Sequence, residues 1–249
     1  MFQSYEEIFS KRADAYQKAM ELYPAARDRE FQLAVETAQI KAGETICDAP
    51  SGGGYLRAYL PAGVHRYLAV ETAADFTGHC PMGRHDRIIR SPLDQIEIVD
   101  QSVDVCINLA GLHHLENRSD FFNEVFRMLK PGGRFVIADV AENTGADRFL
   151  NQFVHNNSSM GHQCLFLNAH TAGEISACGF NIHSDEHINY PWSFEKIEDM
   201  GIYCKLLFGI DLATVETVIQ GIEATLGFMA GSGNVNMAWS LRYIVAIRR

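Results

Sequence analysis

Short apolar segments alternate with helical segments from residue 45 to residue 139, and this alternation constrains the fold more than any other feature. The predicted strands are Thr45–Asp48, Arg66–Glu71, Arg87–Arg90, Val103–Asn108 and Arg134–Asp139. Apolar strands that alternate with helices are typical of a mostly parallel sheet covered on both faces. The chain has 249 residues, 47% of them hydrophobic, which suffices for one sizeable core. We therefore expect one α/β domain.

Helical and strand patterns also flank this alternation. Apolar residues recur near a 3.6-residue period from 4 to 22, where Tyr5, Phe9 and Tyr16 share a face. Further helices are predicted at 26–40, 55–60, 119–129 and 171–178, with helical pieces over 194–227, and further strands at 180–190 and 237–247. Residues 1–40 are thus interpreted as a helical cap, 41–190 as the core, 191–235 as a helical insertion and 236–249 as the last strand.

Composition excludes several classes of protein. The net charge of −10 disfavours nucleic acid as a partner. No apolar run approaches the roughly 20 residues of a membrane span, and the N-terminus shows no signal-peptide pattern. The six cysteines are scattered without a CxxC pair, which indicates reduced thiols and a cytoplasmic location. No metal site is predicted, because His79 and Cys80 with the more distant His85 are a weak ligand pattern.

The loop after the first predicted strand reads Asp48-Ala49-Pro50-Ser51-Gly52-Gly53-Gly54-Tyr55. Three consecutive glycines weaken a fold, so this loop is expected to let the backbone approach a ligand closely. Loops at the carboxyl ends of parallel strands are the usual ligand sites of such sheets.

The residues around this loop disfavour a phosphate ligand. No Lys-Ser or Lys-Thr pair follows, as a P-loop requires. Arg57 occupies the position of the third glycine in a dinucleotide-binding loop, and Asp48 would repel a pyrophosphate. Glu71, at the end of the next strand, could accept both hydroxyls of a ribose. An acid, glycines and a second acid describe a ligand with a cationic amino-acid part and a nucleoside part, as in S-adenosylmethionine.

Four ordered motifs resemble the class I S-adenosylmethionine-dependent methyltransferases. They are DAPSGGGY at 48–55, LAVET at 68–72, SVDVCINLAGLHHL at 102–115 and LKPGGRFVIADV at 129–140. The last two are similar to the group that contains ubiquinone and menaquinone C-methyltransferases. The resemblance implies a Rossmann-like seven-stranded sheet in the order 3-2-1-4-5-7-6. It also implies an antiparallel strand 7, formed by the final strand, and helices on both faces.

The resemblance also implies a set of cofactor contacts. Asp48 and the backbone of Gly52 and Gly54 would hold the methionine end, and Glu71 the ribose. Asn108, Leu109, Ala110 and His113 would lie near the sulfonium, with Tyr16 of the cap shielding it through cation–π contact. Pro50, Ser51 and Thr72 complete the set.

Two departures from the family pattern stand out. Pro50 replaces the usual first glycine and removes an N–H. The acid that commonly faces the adenine is missing, and Pro92 aligns with its position. Backbone groups near Ser91 and Leu93 are therefore expected to hold the adenine, with Asp94 as the weaker alternative.

The predicted activity is methyl transfer from S-adenosyl-L-methionine to a small-molecule acceptor, which leaves S-adenosyl-L-homocysteine. His113 and His155 are the candidate bases, with His162 as a further candidate. The apolar insertion predicts a partly hydrophobic acceptor, and a homodimer contact is the alternative role of that segment. Arg27 and Arg29 are expected to be solvated, with contact between one of them and a substrate carboxylate as the alternative. A methyltransferase-like binding module without turnover and a nicotinamide-dependent oxidoreductase remain as alternatives.

Overall fold

The computed structural model describes the backbone of residues 5–72 and 83–249, and side chains from residue 11 onward within those ranges. His79 and Cys80 lie outside the described residues, as do the side chains of Tyr5 and Phe9.

A single mixed sheet organises the chain, and its strand order confirms the predicted topology. The strands are β1 Thr45–Asp48, β2 Arg66–Glu71, β3 Arg87–Arg90, β4 Val103–Leu109, β5 Leu129–Asp139, β6 Phe180–Phe194, β7 Phe228–Gly231 and β8 Asn234–Arg248. Their order is β3-β2-β1-β4-β5-β8-β6, with β7 paired to β8. β1 to β5 are parallel to one another, and β8 runs antiparallel between β5 and β6. β8 is therefore the antiparallel seventh strand of the predicted order.

Helices lie on both faces of the sheet. The α-helices are α1 Tyr5–Leu22, α2 Asp28–Ala38, α3 Arg118–Met128, α4 Gly145–Arg148, α5 His155–Asn157, α6 Thr171–Ala177, α7 Ile197–Leu207 and α8 Val215–Thr225. A π-helical turn, Phe149–Val154, joins α4 to α5.

Successive residues of β1 show why the strands are apolar throughout. Ile46 packs into the core under α2 and α7, and Cys47 into the core under α3 and α6.

One strand was not predicted, and two predicted elements differ from the structure in extent or type. β7 was not predicted, and it forms a hairpin with β8 that makes the sheet eight-stranded. β6 continues past Tyr190 to Phe194 because Pro191 lies on an edge strand, where a missing N–H is tolerated. The predicted helix at 55–60 is a 3₁₀ turn, Tyr55–Tyr59, because left-handed glycines precede it and Pro61 follows.

The turn signal at residues 130–133 appears as a bulge inside β5. Val103 of β4 pairs with Leu129, yet Val105 already pairs with Arg134. The tetrapeptide Lys130-Pro131-Gly132-Gly133 is thereby excluded from the ladder.

Among the described residues, no helix combines the length and the apolar character that a bilayer crossing requires.

Candidate active site

The glycine loop leaves the sheet at the point where the strand order changes direction. β1 pairs with β2 on one side and with β4 on the other. The chain therefore builds the sheet outward from β1 in one direction through β2 and β3, and in the other direction through β4 and β5. Open α/β sheets bind ligands in the crevice at such a switch point.

The loop backbone adopts a conformation that favours glycine. Gly52, Gly53 and Gly54 have φ angles of 53°, 92° and 72°. The amide of Ser51 donates to the carbonyl of Val70 at 2.9 Å, which ties the loop to β2. The Ala49–Pro50 peptide is cis.

A cavity opens beside this loop and extends away from it between the sheet and the cap. Its loop end is lined by Asp48, Pro50, Ser51, Gly52, Tyr55 and Tyr16. Leu109, Ala110 and Gly111 follow β4 along one side. The far end is lined by Arg12, His113, His114, His162, Trp192, Phe208 and Trp239. The structure thus brings eight of the predicted site residues together: Tyr16, Asp48, Pro50, Ser51, Gly52, Leu109, Ala110 and His113.

Asp48 presents a buried carboxylate to the loop end of the cavity. Its side chain is buried, and its Oδ2 accepts a hydrogen bond from the Tyr67 hydroxyl at 2.5 Å. Burial raises the pKa of Asp48 well above its ordinary value; the Tyr67 hydrogen bond opposes the shift and nearby Glu71 adds to it. A cationic ligand group would therefore stabilise the ionised form of Asp48.

Glu71 supports the loop from below and does not line this cavity. It is fully buried, its Oε2 accepts from the Gly52 amide at 2.8 Å, and its Oε1 accepts from the Thr72 amide at 2.9 Å. Contact with a ribose would thus compete with the hydrogen bond to Gly52.

Five more predicted cofactor residues are not among the lining of this cavity: Gly54, Thr72, Ser91, Leu93 and Asn108. Ser91 and Leu93 are buried after β3. Asn108 is fully buried and donates from Nδ2 to the carbonyl of Ala49 at 2.8 Å. The cofactor roles of these residues stay predictions.

Tyr16 lies at the loop end of the cavity. Its ring centroid is 6.2 Å from that of Tyr55, and its hydroxyl accepts a hydrogen bond from Arg27 Nη1 at 2.9 Å. The expectation that Arg27 is solvated is wrong, because Arg27 is buried, forms an ion pair with Glu30 and covers the Trp192 ring at 5.3 Å. Arg29 is exposed and pairs with Glu36.

His113 is held by a carboxylate that the sequence did not single out. Its Nδ1 lies 2.6 Å from Oδ1 of Asp139, and its backbone amide donates to Oδ2 at 3.0 Å. Asp139 is fully buried at the end of β5. His155, the other predicted base, is not among the lining; its Nδ1 accepts from the His162 amide at 3.0 Å.

Two further imidazoles, His114 and His162, lie beside His113. Their ring centroids are 4.1 Å and 6.0 Å from that of His113. Burial lowers the pKa of both His114 and His162 well below the ordinary histidine value, and the neighbouring His113 lowers both further. Both rings are therefore neutral at physiological pH.

The far end of the cavity carries an aromatic wall formed by Trp192, Phe208 and Trp239. The rings of Trp192 and Trp239 stack at 4.4 Å, and Phe208 lies about parallel to Trp192 at 6.1 Å. Glu30 fixes Trp192 by accepting its indole N–H at 2.9 Å. Trp192 and Phe208 lie in the insertion 191–235, from which a partly hydrophobic acceptor was predicted, and the pairing of β6 with β8 brings Trp239 to the same place.

The structure also explains why Arg57 is allowed where a dinucleotide loop requires glycine. Its Nε donates to Oδ2 of Asp86 at 2.7 Å, and Asp86 also accepts from the Tyr67 amide at 2.9 Å. Arg57 thus joins the loop to the outer strands, and the loop leads into a 3₁₀ turn.

Residues 47–137 match the family described as methyltransferase domain. Residues 47–137 are therefore similar to a methyltransferase domain. The whole chain was also compared with known proteins. It is 30% identical over 117 residues to a probable S-adenosylmethionine-dependent methyltransferase of Mycolicibacterium smegmatis, and the aligned residues cover 45% of each protein. It is 30% identical over 142 residues to the demethylmenaquinone methyltransferase of Clavibacter sepedonicus, covering 53% of this chain and 56% of that protein. The match spans about half the length of these relatives, and it confirms the resemblance drawn from the four motifs.

Solved structures share the methyltransferase fold over most of the chain. The geranyl diphosphate C-methyltransferase of Streptomyces coelicolor, solved with Mg²⁺, geranyl diphosphate and S-adenosyl-L-homocysteine, superposes with a TM-score of 0.60 at 15% identity, covering 94% of this chain and 84% of that one. The [4+2]-cyclase SpnF superposes with a TM-score of 0.66 at 14% identity, covering 98% and 96%. At these identities the likeness shows a common class I methyltransferase fold.

Proposed function

We propose that this protein transfers the methyl group of S-adenosyl-L-methionine to a small-molecule acceptor bound in the cavity beside the glycine loop. The observation that carries the proposal is Asp48, a buried carboxylate at the end of β1 that faces this cavity within the matched methyltransferase domain. Bound S-adenosyl-L-methionine supplies an electrophilic methyl group on a sulfonium.

The loop end of the cavity fits the amino-acid part of this cofactor. Asp48 uses Oδ2 for Tyr67, which leaves Oδ1 for an ammonium group. Burial raises the pKa of Asp48 and so favours its protonated, neutral form. A neutral ligand leaves this form favoured, whereas a bound ammonium group stabilises the ionised carboxylate. This preference separates the site from one built for pyrophosphate.

The middle of the cavity is suited to a sulfonium. Leu109 and Ala110 leave the end of β4 there, and Ala110 has a left-handed φ of 52° while its amide donates to the Ala138 carbonyl. Tyr16 provides an aromatic face on the cap side, where a cation gains cation–π attraction. These apolar and aromatic surfaces also exclude water from the methyl group.

The aromatic wall is proposed to hold the acceptor. Stacked Trp192 and Trp239 favour a planar or otherwise apolar acceptor surface. Their positions are fixed by Glu30 and by the β6–β8 pairing, so the acceptor can be aligned with little loss of side-chain entropy on binding. The proposal covers oxygen, carbon and nitrogen as acceptor atoms.

Proton transfer depends on the acceptor. An acceptor that loses a proton would find the Nε2 of His113 in the cavity, since Asp139 occupies Nδ1. Such a base is needed for a hydroxyl or a carbon acid but not for a neutral amine. His155 stays a prediction for this role, because it is not among the residues that line the cavity.

The proposal is tested in two steps. Isothermal titration calorimetry with S-adenosyl-L-methionine and S-adenosyl-L-homocysteine should show one site per chain. Mass spectrometry of reactions with panels of apolar phenols, carbon acids and amines should then show S-adenosyl-L-homocysteine and a methylated acceptor. Absence of binding to both adenosyl ligands would refute the proposal.

A binding module without turnover is the second candidate, because Glu71 is engaged by the Gly52 amide and Pro50 stands where the family motif has its first glycine. The SpnF cyclase also shares this fold, so the fold does not by itself define a reaction. Cofactor binding without methylation of any acceptor would favour this candidate. Retention of NAD by the purified protein would instead favour an oxidoreductase, against the Arg57 observation.

A further inference from the structure

Four side chains form a histidine–cysteine cluster at the far end of the cavity: His113, His114, His162 and Cys164. His113 and His114 lie on a 3₁₀ turn, Leu112–His114, just after β4. His162 and Cys164 belong to the segment that follows α5 and has no regular structure. None of the six cysteines was assigned a role from the sequence, and the methyl-transfer proposal does not use Cys164.

The backbone fixes the two halves of the cluster against each other. The Leu165 amide donates to the His113 carbonyl at 3.2 Å. Asn151 clamps Cys164 by accepting from its amide at 3.1 Å and donating to its carbonyl at 3.2 Å. The sulfur is therefore held in place and does not depend on a flexible loop.

Two distances from the Cys164 sulfur are close to those between the ligands of a tetrahedral zinc site. The Cys164 Sγ lies 3.6 Å from His114 Nδ1 and 3.8 Å from His162 Nε2. Zinc bonds of about 2.0–2.3 Å give ligand-to-ligand distances of about 3.3–3.6 Å in a tetrahedron. One donor atom each from His113, His114 and Cys164 also lies within 4.8 Å of the other two.

Asp139 orients one ligand in the manner of a metal site. It occupies Nδ1 of His113, which leaves Nε2 as the nitrogen for a metal. Metal-bound histidines commonly donate their second N–H to a carboxylate. His162 is only 7% exposed, and its Nε2 lies 3.8 Å from the Cys164 sulfur, so this nitrogen faces the cluster.

The charged groups around the cluster and the types of its ligand atoms favour a divalent zinc ion. Arg12 and Arg118 act electrostatically on Cys164, as does the carboxylate of Asp139. A divalent cation together with a Cys164 thiolate and the Asp139 carboxylate is neutral overall, so the bound ion would leave no net positive charge beside the two guanidinium groups. One thiolate with imidazoles selects zinc over magnesium or calcium, which prefer oxygen ligands.

We propose that the histidine–cysteine cluster binds one Zn²⁺ through His113, His114 and Cys164, with His162 completing the tetrahedron. The ion would join the turn after β4 to the 158–167 segment and so form part of the cavity wall. Zinc ligation uses the same nitrogen of His113 that a proton acceptor would use. The zinc-bound protein would therefore methylate its acceptor without a base at His113.

The test loads the full-length protein with Zn²⁺, removes free metal by gel filtration and measures bound zinc by inductively coupled plasma mass spectrometry. One zinc per chain is expected for the wild type and for Cys178→Ser, a partly exposed cysteine outside the cluster. Cys164→Ser should lose stoichiometric zinc, and Asp139→Asn should bind it about 10- to 100-fold more weakly. Equal zinc retention by Cys164→Ser and Cys178→Ser would overturn the proposal.

A second measurement needs no variant to fold. Co²⁺ added to the metal-free wild type should give the visible absorption of tetrahedral cobalt and a thiolate-to-cobalt charge-transfer band. Zn²⁺ should abolish both and raise the thermal midpoint. Absence of the charge-transfer band would overturn the proposal. Calorimetry with S-adenosyl-L-homocysteine, run on the same samples, tests the proposed function separately, because the loop end of the cavity, where Asp48 lies, contains no member of the cluster.

Discussion

Asp48→Asn is the substitution that most sharply separates binding from folding. Asparagine has the same shape, and its side-chain oxygen can still accept the hydrogen bond from the Tyr67 hydroxyl. What it removes is the negative charge that faces the cavity. We expect the variant to fold, to become more stable without ligand and to bind the cofactor poorly.

The loss of affinity follows from the number of free acceptor positions. Tyr67 occupies Oδ2, so one charge-assisted hydrogen bond, from Oδ1 to the cofactor ammonium, is at stake. Hydrogen bonds to charged groups contribute about 1.5–3 kcal/mol. The dissociation constants of S-adenosyl-L-methionine and S-adenosyl-L-homocysteine should therefore both rise about 10- to 150-fold, because both carry this ammonium.

The stability effect has the opposite sign. Burial raises the pKa of Asp48, so the folded protein holds this proton more tightly than the unfolded chain. Protonated Asp48 therefore contributes to the free energy of unfolding at a pH below the ordinary carboxyl pKa. This contribution is lost as the pH rises from that value through the raised pKa of the folded protein. Asp48→Asn avoids this loss and should gain about 0.5–2 kcal/mol at neutral pH. The thermal midpoint should rise by about 2–4 °C per kcal/mol.

Calorimetry and thermal unfolding on the same samples check both effects, with Asp14→Asn, an exposed aspartate on α1, as the matched control. Wild-type affinity should also fall as the pH drops through the raised pKa, because protonated Asp48 has no charge. An Asp48→Asn protein that binds either adenosyl ligand as tightly as the wild type would refute the role of the carboxylate. A variant that is less stable at neutral pH would refute the pKa reasoning.

Three further substitutions test the surroundings of the cavity. Tyr16→Ala should weaken S-adenosyl-L-methionine about 2- to 30-fold more than S-adenosyl-L-homocysteine, because only the former is a sulfonium; equal losses in calorimetry would argue against cation–π contact. Glu30→Ala should cost about 3–5 kcal/mol in urea unfolding, since it leaves a buried guanidinium unpaired. Glu36→Ala, in an exposed pair, should cost less than about 1 kcal/mol, and similar losses for both would contradict this account. Gly111→Ala should destabilise by about 1–3 kcal/mol and weaken cofactor binding, because its Cβ would lie 2.6 Å from the ring of the loop proline. Gly173 has open space around it, so Gly173→Ala should be neutral or stabilising. If both variants bind the cofactor as tightly as the wild type, the proposed contact between the loop proline and the cofactor is disproved.

The parallel half of the sheet was predictable from sequence. The bounds of β1, β2 and β3 match the prediction because each is a short apolar run that ends where the polarity changes. The late strands were less predictable. β7 is four residues long and exists because β8 offers it a partner, so its pairing is tertiary information.

The loop end of the site was also largely predictable. Asp48, Pro50, Ser51 and Gly52 follow directly after a strand, and their place in the cavity depends on local chain order. Arg27 shows the limit of such reasoning. The spacing of Arg27 and Glu30 allows an ion pair, but only the packing of β6 against α2 reveals that the pair is buried under Trp192.

The far end of the cavity depends on contacts between distant parts of the chain. Cys164 lies 50 residues from His114 in sequence, and their contact relies on an irregular segment held by Asn151. Asp139 reads as the polar end of an apolar strand, and only the structure shows that it binds His113. No period or motif encodes these contacts.

The most direct measurement of methyl transfer uses S-adenosyl-L-methionine carrying an isotopically labelled methyl group. The wild-type protein is incubated with this cofactor and the acceptor panel, and the products are analysed by mass spectrometry. We predict S-adenosyl-L-homocysteine and a labelled acceptor in equal amounts, both strongly reduced in Asp48→Asn and unchanged in Asp14→Asn. Cofactor binding without label in any acceptor would contradict methyl transfer and leave the binding module as the function of this chain.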